Sequence, residues 1–369
     1  MPDRAGGVVR RHLTMLLAGA LLAGAPALRA AEGSPVAPVA GRGYLTFYLD
    51  NDLFGGTDRN YTNGARLSWI SEGEPLVHLP LVREPLEELA TADASLVRAL
   101  SGFRPESISR GTLELNYGLS LTQLMFAPED CASVTQPAGQ RRYAGWLGLG
   151  FSVHARDDAA LNSAEFILGT TGPNSLAEDA QDLIHDLRDI EKFEGWDAQI
   201  PNEVTVDLVF TQKRRIRILD RRERGFSVDG LGEAGARLGT FRTDAFVGGF
   251  FRAGVNLPAD FSDPRVSATS YSHQVFDRRV PERAASWSAY ALFGLRGTAV
   301  GHDATLDGPL FSDFVTGNER EAWIGEVFLG FGARLGALEL TYAHTWRSEE
   351  YAEQGGGSDF GSVAVRLRL

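Results

Sequence analysis

The chain of 369 residues carries a single cysteine, Cys131, which excludes an intramolecular disulfide and leaves the fold to packing and hydrogen bonding. Beyond the first thirty or so residues it has no apolar run near the roughly 20 residues of a spanning helix, so a helical membrane protein is excluded. An excess of positive charge is also missing. Lys and Arg number 36 against 48 Asp and Glu, giving a net charge of -12 and a pI near 5.1, which argues against a nucleic acid partner. No Gly-x-Ser-x-Gly elbow occurs and no serine shares a motif with a histidine, so a serine acyl-enzyme mechanism has no support.

Glycine and aromatic residues are plentiful instead: 42 Gly, 21 Phe, nine Tyr and six Trp suit strands joined by tight turns, with rings at polar–apolar boundaries. The N-terminus places Arg4, Arg10 and Arg11 before the run LTMLLAGALLAGAPAL, followed by Arg29-Ala30-Ala31. This is the layout of a secretory signal peptide, cleaved near residue 30 or 31. Residues 31–369 then form a single exported domain.

Alternating strands recur along that domain. Tyr44 to Ile70 forms a hairpin, and Thr112 to Leu124 places Leu113, Leu115, Tyr117, Leu119 and Leu121 on one face. Further strands are expected at 144–155, 162–170, 204–214, 226–238, 243–254, 287–300, 322–334, 337–346 and 361–369. The total is twelve. Their lengths favour a membrane-crossing barrel over a soluble sandwich, whose strands average about 5–6 residues. The expected fold is therefore all-β: a twelve-stranded antiparallel transmembrane β-barrel with one short amphipathic helix in an extracellular loop. Loop lengths support the two-sided pattern of such barrels in part, since the long segments 71–110 and 255–286 fall on the side where short turns are expected. The chain also ends Arg366-Leu367-Arg368-Leu369, without a terminal aromatic.

Two stretches carry chemistry. Asn51, Asp52, Thr57, Asp58, Asn60, Thr62 and Asn63 crowd the turn of the first hairpin, far more polar groups than a turn requires. Hard oxygen donors of this kind suit Ca²⁺ or Mg²⁺, the plainer reading being a solvated loop. The second stretch, LAEDAQDLIHDLRDIEKF, reads as a helix begun by Pro173 and Ser175 and stopped by Gly195, with Leu176, Leu183, Ile184, Leu187 and Ile190 on its apolar side. His185 lies in its middle, where a general base would be held rigidly, with Glu191 or Asp189 available to orient it. The plainer reading is a half-buried helix histidine. The other histidines of the mature chain fall in loops (His78, His273, His302) or at strand ends (His154, His344).

The motifs LDNDLFGGTDRNYTNGARLSW, RRYAGWLGLGFSVH, GTTGPNSLAEDAQDLIHDL, EGWDAQIPNE and HTWRSEEYAEQGGGSDFGSVAVRL resemble, in that order, the outer-membrane lipid A 3'-O-deacylase family. The resemblance implies a twelve-stranded barrel acting as a Ca²⁺-dependent ester hydrolase on lipid A of lipopolysaccharide, in the outer leaflet of the outer membrane. It implies His185 as the base that activates water, Glu191 as its orienting carboxylate with Glu194 close by, and Asn51, Thr62 and Gln181 as further catalytic groups. Asp52 and Asn51 would hold the metal, and Arg141 matches the family's basic residue before the Tyr-Ala-Gly-Trp motif; as basic residues near the outer rim, Arg141, Arg142 and Lys192 are substrate-binding candidates for the phosphates of lipid A. Arg142 stands where the family commonly has proline. The barrel is expected to act as a monomer. Rival readings are an outer-membrane phospholipase and a non-catalytic pore or structural barrel.

Overall fold

The computed structural model describes residues 43–52, 60–75, 101–104, 106–107, 113–130, 133–189, 192–221, 225–258, 260–261, 263, 265 and 287–369. The expected signal peptide, Cys131 and Glu191 lie outside them, as do Thr57 and Asp58 of the first turn. Twelve long strands follow one another: β1 (Gly43–Asn51), β2 (Asn60–Ser71), β3 (Glu114–Ala127), β4 (Ala144–Arg156), β5 (Ala160–Thr171), β6 (Val204–Arg221), β7 (Phe226–Gly239), β8 (Arg242–Val255), β9 (Trp287–Asp303), β10 (Trp323–Leu335), β11 (Leu338–Arg347) and β12 (Ser358–Arg368). Each pairs antiparallel with its neighbours, and the β1–β12 ladder closes the sheet into a barrel. A two-residue strand, Glu74–Pro75, continues the line of β2 along β3. The helix α1 (Ala177–Arg188) lies between β5 and β6.

Alternation sets the two faces of the wall. Along β9 the residues Trp287, Ala289, Ala291, Phe293 and Leu295 are exposed, while Ser288, Tyr290, Leu292 and Arg296 are buried. The same order holds on β6, where Val204, Val206, Leu208 and Phe210 point out. Apolar residues outside and charges inside invert the order of a water-soluble barrel. The outer face is therefore built for lipid.

The lumen is filled by side chains. Under the rim that carries α1, Tyr48, Tyr61, Phe126, Trp146, Phe241 and Phe360 form an apolar plug, with Trp146 stacked on Phe241 at 4.5 Å. Gly64 makes room for it, because a Cβ there would overlap the Tyr61 hydroxyl. Deeper in, Arg296, Arg265 and Lys213 gather around Glu233 and Asp263, and Arg265 and Arg347 both reach Glu326. A second network ties Arg252 to Asp229 and Asp260, and Arg366 to Asp260 and Glu339.

The strands run longer than their sequence pattern indicates. β6 continues to Arg221 rather than stopping near 214, because Lys213 and Arg215 find partners inside the barrel in Glu233 and Asp229. His302 lies within β9, and His344 lies three residues before the end of β11. The link between β7 and β8 is only Thr240 and Phe241, although it falls on the rim that carries the long loops.

Glu233→Ala is expected to cost about 3–5 kcal/mol of stability, since it leaves three buried cations with less compensating charge. The fall would be read as a lowered midpoint of urea unfolding for the refolded barrel.

Candidate active site

The outer rim collects the candidate residues through strand pairing. Asn51 ends β1 and pairs with Asn63 of β2, and Asn63 pairs in turn with Met125 of β3. Asp52, the next residue, is buried. Between Tyr61 and Asn63 the β2–β3 register shifts by one residue, so Thr62 is the extra member of a β-bulge. A bulge redirects side chains, and such features are common beside active sites. Thr62 is buried, and its Oγ1 has no hydrogen-bond partner among the described residues.

On β1 the side chains of Tyr48 and Asp50 turn inward, Asp50 accepting a hydrogen bond from the Tyr61 hydroxyl at 3.2 Å. Asn51, one residue further, falls on the lipid-facing side. So do Asn63 and Met125, by the same alternation.

Helix α1 packs against that outer side. Its Ala177 joins Met125, Ala127, Tyr143, Phe193 and Trp196 in one buried cluster, and Gln123 Nε2 donates to the Ser175 carbonyl at 2.7 Å. Gly145 of β4 is the seat of the helix start, for a Cβ there would overlap Ser175 Oγ and Ala177 Cβ. Leu176 enters the helix with φ of 58° and Asp189 leaves it with φ of 55°, both left-handed.

The face of α1 turned to the barrel is not the one its leucines suggest. Ala177, Gln181 and His185 are buried, whereas Leu183 and Ile184 are 45% and 46% exposed. The apolar side expected from Leu183 and Ile184 therefore faces away from the protein. A helix lying on a lipid-facing wall can leave apolar residues outside, because its surroundings are not water.

His185 stands edge-on to Phe193 with ring centroids 5.0 Å apart, and Phe193 belongs to the cluster that includes Met125. The histidine is thus held beside the strand that pairs with Asn63. Gln181, one turn earlier, accepts a hydrogen bond from Trp196 Nε1 at 2.8 Å, which fixes its amide. Glu194 and Asp189 are both exposed. Lys192 lies 2.9 Å from Asp186 and 3.2 Å from Asp182, and the hydrogen bond to Asp186 raises its pKa.

The two arginines lie in different settings. Arg141 is fully buried rather than standing on the rim, its guanidinium bonded to Glu350 at 3.1 Å and to Thr305 at 2.5 Å. It ties together the loop before β4 and the loops after β9 and β11. Arg142 is half-buried, its Nε donating to the Thr316 carbonyl at 3.1 Å and its guanidinium resting over Phe314. Nearby, Asp307 is held below the usual carboxylate range: burial pushes it up, but hydrogen bonds from His302, the Asp303 N–H and Arg320 outweigh that.

The donor set at the rim suits a hard cation. Asn51, Asp52 and Thr62 each offer an oxygen ligand, and the Thr62 hydroxyl is buried without a hydrogen-bond partner among the described residues. Among the described residues no three His, Cys, Asp or Glu side chains are grouped to hold a metal, so neutral oxygens would have to complete the shell.

The apolar wall, the filled and charged lumen and the polar row at one rim define an outer-membrane β-barrel with its candidate site on the lipid-facing side. The chain matches the family described as outer membrane protein LpxR over residues 15–369, and it belongs to that family. LpxR from Salmonella typhimurium shares the fold, with a TM-score of 0.66 and 15% identity over 88% of this chain and 100% of that one. More distant are the β domain of the Bordetella autotransporter BrkA (TM-score 0.41, 8% identity, 89% of this chain and 99% of that one) and the translocator domain of NalP from Neisseria meningitidis (0.37, 10%, 89% and 89%). No curated protein sequence matches the chain significantly.

Gly145→Val is expected to lift α1 off the wall. Limited proteolysis would then cut within residues 176–195 several-fold faster than in the wild-type barrel, with the strands intact.

Proposed function

We propose that the protein is a lipid A 3'-O-deacylase, a carboxylic ester hydrolase that removes the 3'-linked acyl or acyloxyacyl chain in the outer leaflet. The observation that carries this reading is the position of His185. It is buried on the wall-facing side of α1, beside the strand that pairs with Asn63, which in turn pairs with Asn51. Membership in the LpxR family agrees with it.

In the proposed reaction His185 takes a proton from water as the water oxygen attacks the acyl carbon. The C–O ester bond then breaks and the proton returns to the departing sugar oxygen, leaving a free fatty acid and a hydroxyl. Glu191, which lies outside the described residues, would hold the imidazole in the required orientation. Thr62, Asn51 and Gln181 would donate hydrogen bonds to the developing oxyanion. Asp52 and Asn51 would hold Ca²⁺, whose charge would polarise the ester carbonyl. Arg142 has Nη groups without a hydrogen-bond partner among the described residues and would meet a lipid A phosphate. Arg141 would support it from below by joining the loops.

A pore reading is disfavoured by the lumen, which the aromatic plug and the arginine networks occupy. A phospholipase would use the same chemistry on another ester, and the product distinguishes the two.

His185→Ala should lower turnover by about 10²–10⁴-fold while the barrel stays folded. Mass spectrometry of lipid A from cells expressing each protein reads the loss of the 3'-chain; wild-type levels of loss with the mutant would sink the mechanism. Chelation of divalent ions should silence the purified enzyme, and added Ca²⁺ should restore it.

A further inference from the structure

The polar row on the lipid-facing wall does not stop at Asn51. Across β12 and β11 it continues through Gly361 to His344, since Asn51 pairs with Gly361 and Gly361 pairs with His344. At strand spacings of about 4.8 Å, His344 lies roughly 10 Å from Asn51 along the wall. Glycine between them leaves no side chain in the way.

His344 belongs to a small, ordered group. Its Nε2 is 3.1 Å from Asp359 Oδ2, its Nδ1 is 3.4 Å from the Tyr342 hydroxyl, and its ring meets Trp346 edge-on at 4.6 Å. Trp346 pairs directly with Asp359 across the ladder, so an indole and a carboxylate stand side by side. His344 is 19% and Asp359 32% exposed by side chain, and Trp346 is 48% exposed. Tryptophan at this height is an ordinary interfacial anchor. The histidine and aspartate, held together at 3.1 Å beside that outward indole, form an ordered polar group on an otherwise apolar outer face.

We propose that His344, Trp346 and Asp359 form a saccharide subsite that seats the sugar headgroup of an outer-leaflet glycolipid. The proposal rests on the deacylase reading for its substrate class and adds where the headgroup binds. A sugar ring offers an apolar C–H face, which fits the indole, and an edge of hydroxyl donors, which fits the acceptor-only carboxylate of Asp359. His344 fixes that carboxylate. Below the row, Leu49, Phe47, Val363 and Val365 face outward and continue as an apolar wall against which acyl chains can lie. The subsite thus lies at the opposite end of the row from α1 and His185, at a reach of sugar-ring dimensions from Asn51. A headgroup that offers only a phosphodiester would meet the Asp359 carboxylate with like charge.

The test uses the full barrel in detergent with His185→Ala to prevent turnover, and measures binding of fluorescently labelled lipid A by anisotropy. Adding Trp346→Ala or Asp359→Asn should weaken lipid A binding about tenfold, the loss of a ring contact in the first and of a charge-assisted hydrogen bond in the second. Adding Trp323→Ala, which removes a 75% exposed rim tryptophan on β10, should change nothing, and affinity for phosphatidylglycerol vesicles should be the same in all variants. Heat-modifiable migration on gels checks that each variant is folded. Unchanged lipid A binding in the Trp346 and Asp359 variants would overturn the proposal, as would an equal loss with Trp323→Ala or a parallel loss for phosphatidylglycerol. Failure of the wild-type protein to deacylate lipid A would instead overturn the activity and leave this binding result standing.

Discussion

Closure of the sheet is the constraint on which the rest depends. In hydrocarbon an unpaired N–H or C=O has no water to turn to and costs several kcal/mol, so the wall must pair every strand with two neighbours. The β1–β12 ladder does this along nearly the whole of β1, from Tyr44 with Arg368 to Asn51 with Gly361. The same ladder aligns Asn51 with His344 two strands away. A backbone requirement of the membrane thus also sets the spacing of the rim's polar groups.

The charges inside follow from that closed wall. Strands that cross a bilayer must give one face to lipid, and away from the rim their charged residues are then confined to the lumen. Burying a lone arginine would be prohibitive, which is why Arg296, Arg265 and Lys213 share Glu233 and Asp263 rather than each keeping one partner. The aromatic plug around Tyr61 and Trp146 separates these networks from the rim. Strand alternation puts Asp50 and Asn51, consecutive residues, in opposite settings: one turned inward and bonded to Tyr61, the other facing the lipid side.

Much of this was legible in the sequence. Period-two alternation revealed each long strand, and the polar crowding after β1 marked one end of the candidate site. Two kinds of information were hidden. Periodicity points to the wrong side of α1 because helical amphipathicity assumes water on the far side, whereas Leu183 and Ile184 face outward from a lipid-facing wall. Arg141 read as a rim charge because its partner, Glu350, is 209 residues away, and no local pattern announces so distant a pairing. The His344–Asp359 pair is hidden for a related reason: in sequence the two are separated by a turn, and only the ladder shows that both project to the same outer face. A histidine and an aspartate at outward positions of neighbouring strands are the available signal.

The placement of α1 on the outside of the barrel, with Leu183 and Ile184 turned away from the protein, has a consequence for what counts as the complete molecule. One side of the candidate site is the wall and another is the helix, but the side those two residues face is furnished by whatever surrounds the protein. In a bilayer that boundary is a neighbouring lipid, free to exchange by lateral diffusion. In a micelle it is a detergent tail, and the protein is then an assembly with one component replaced.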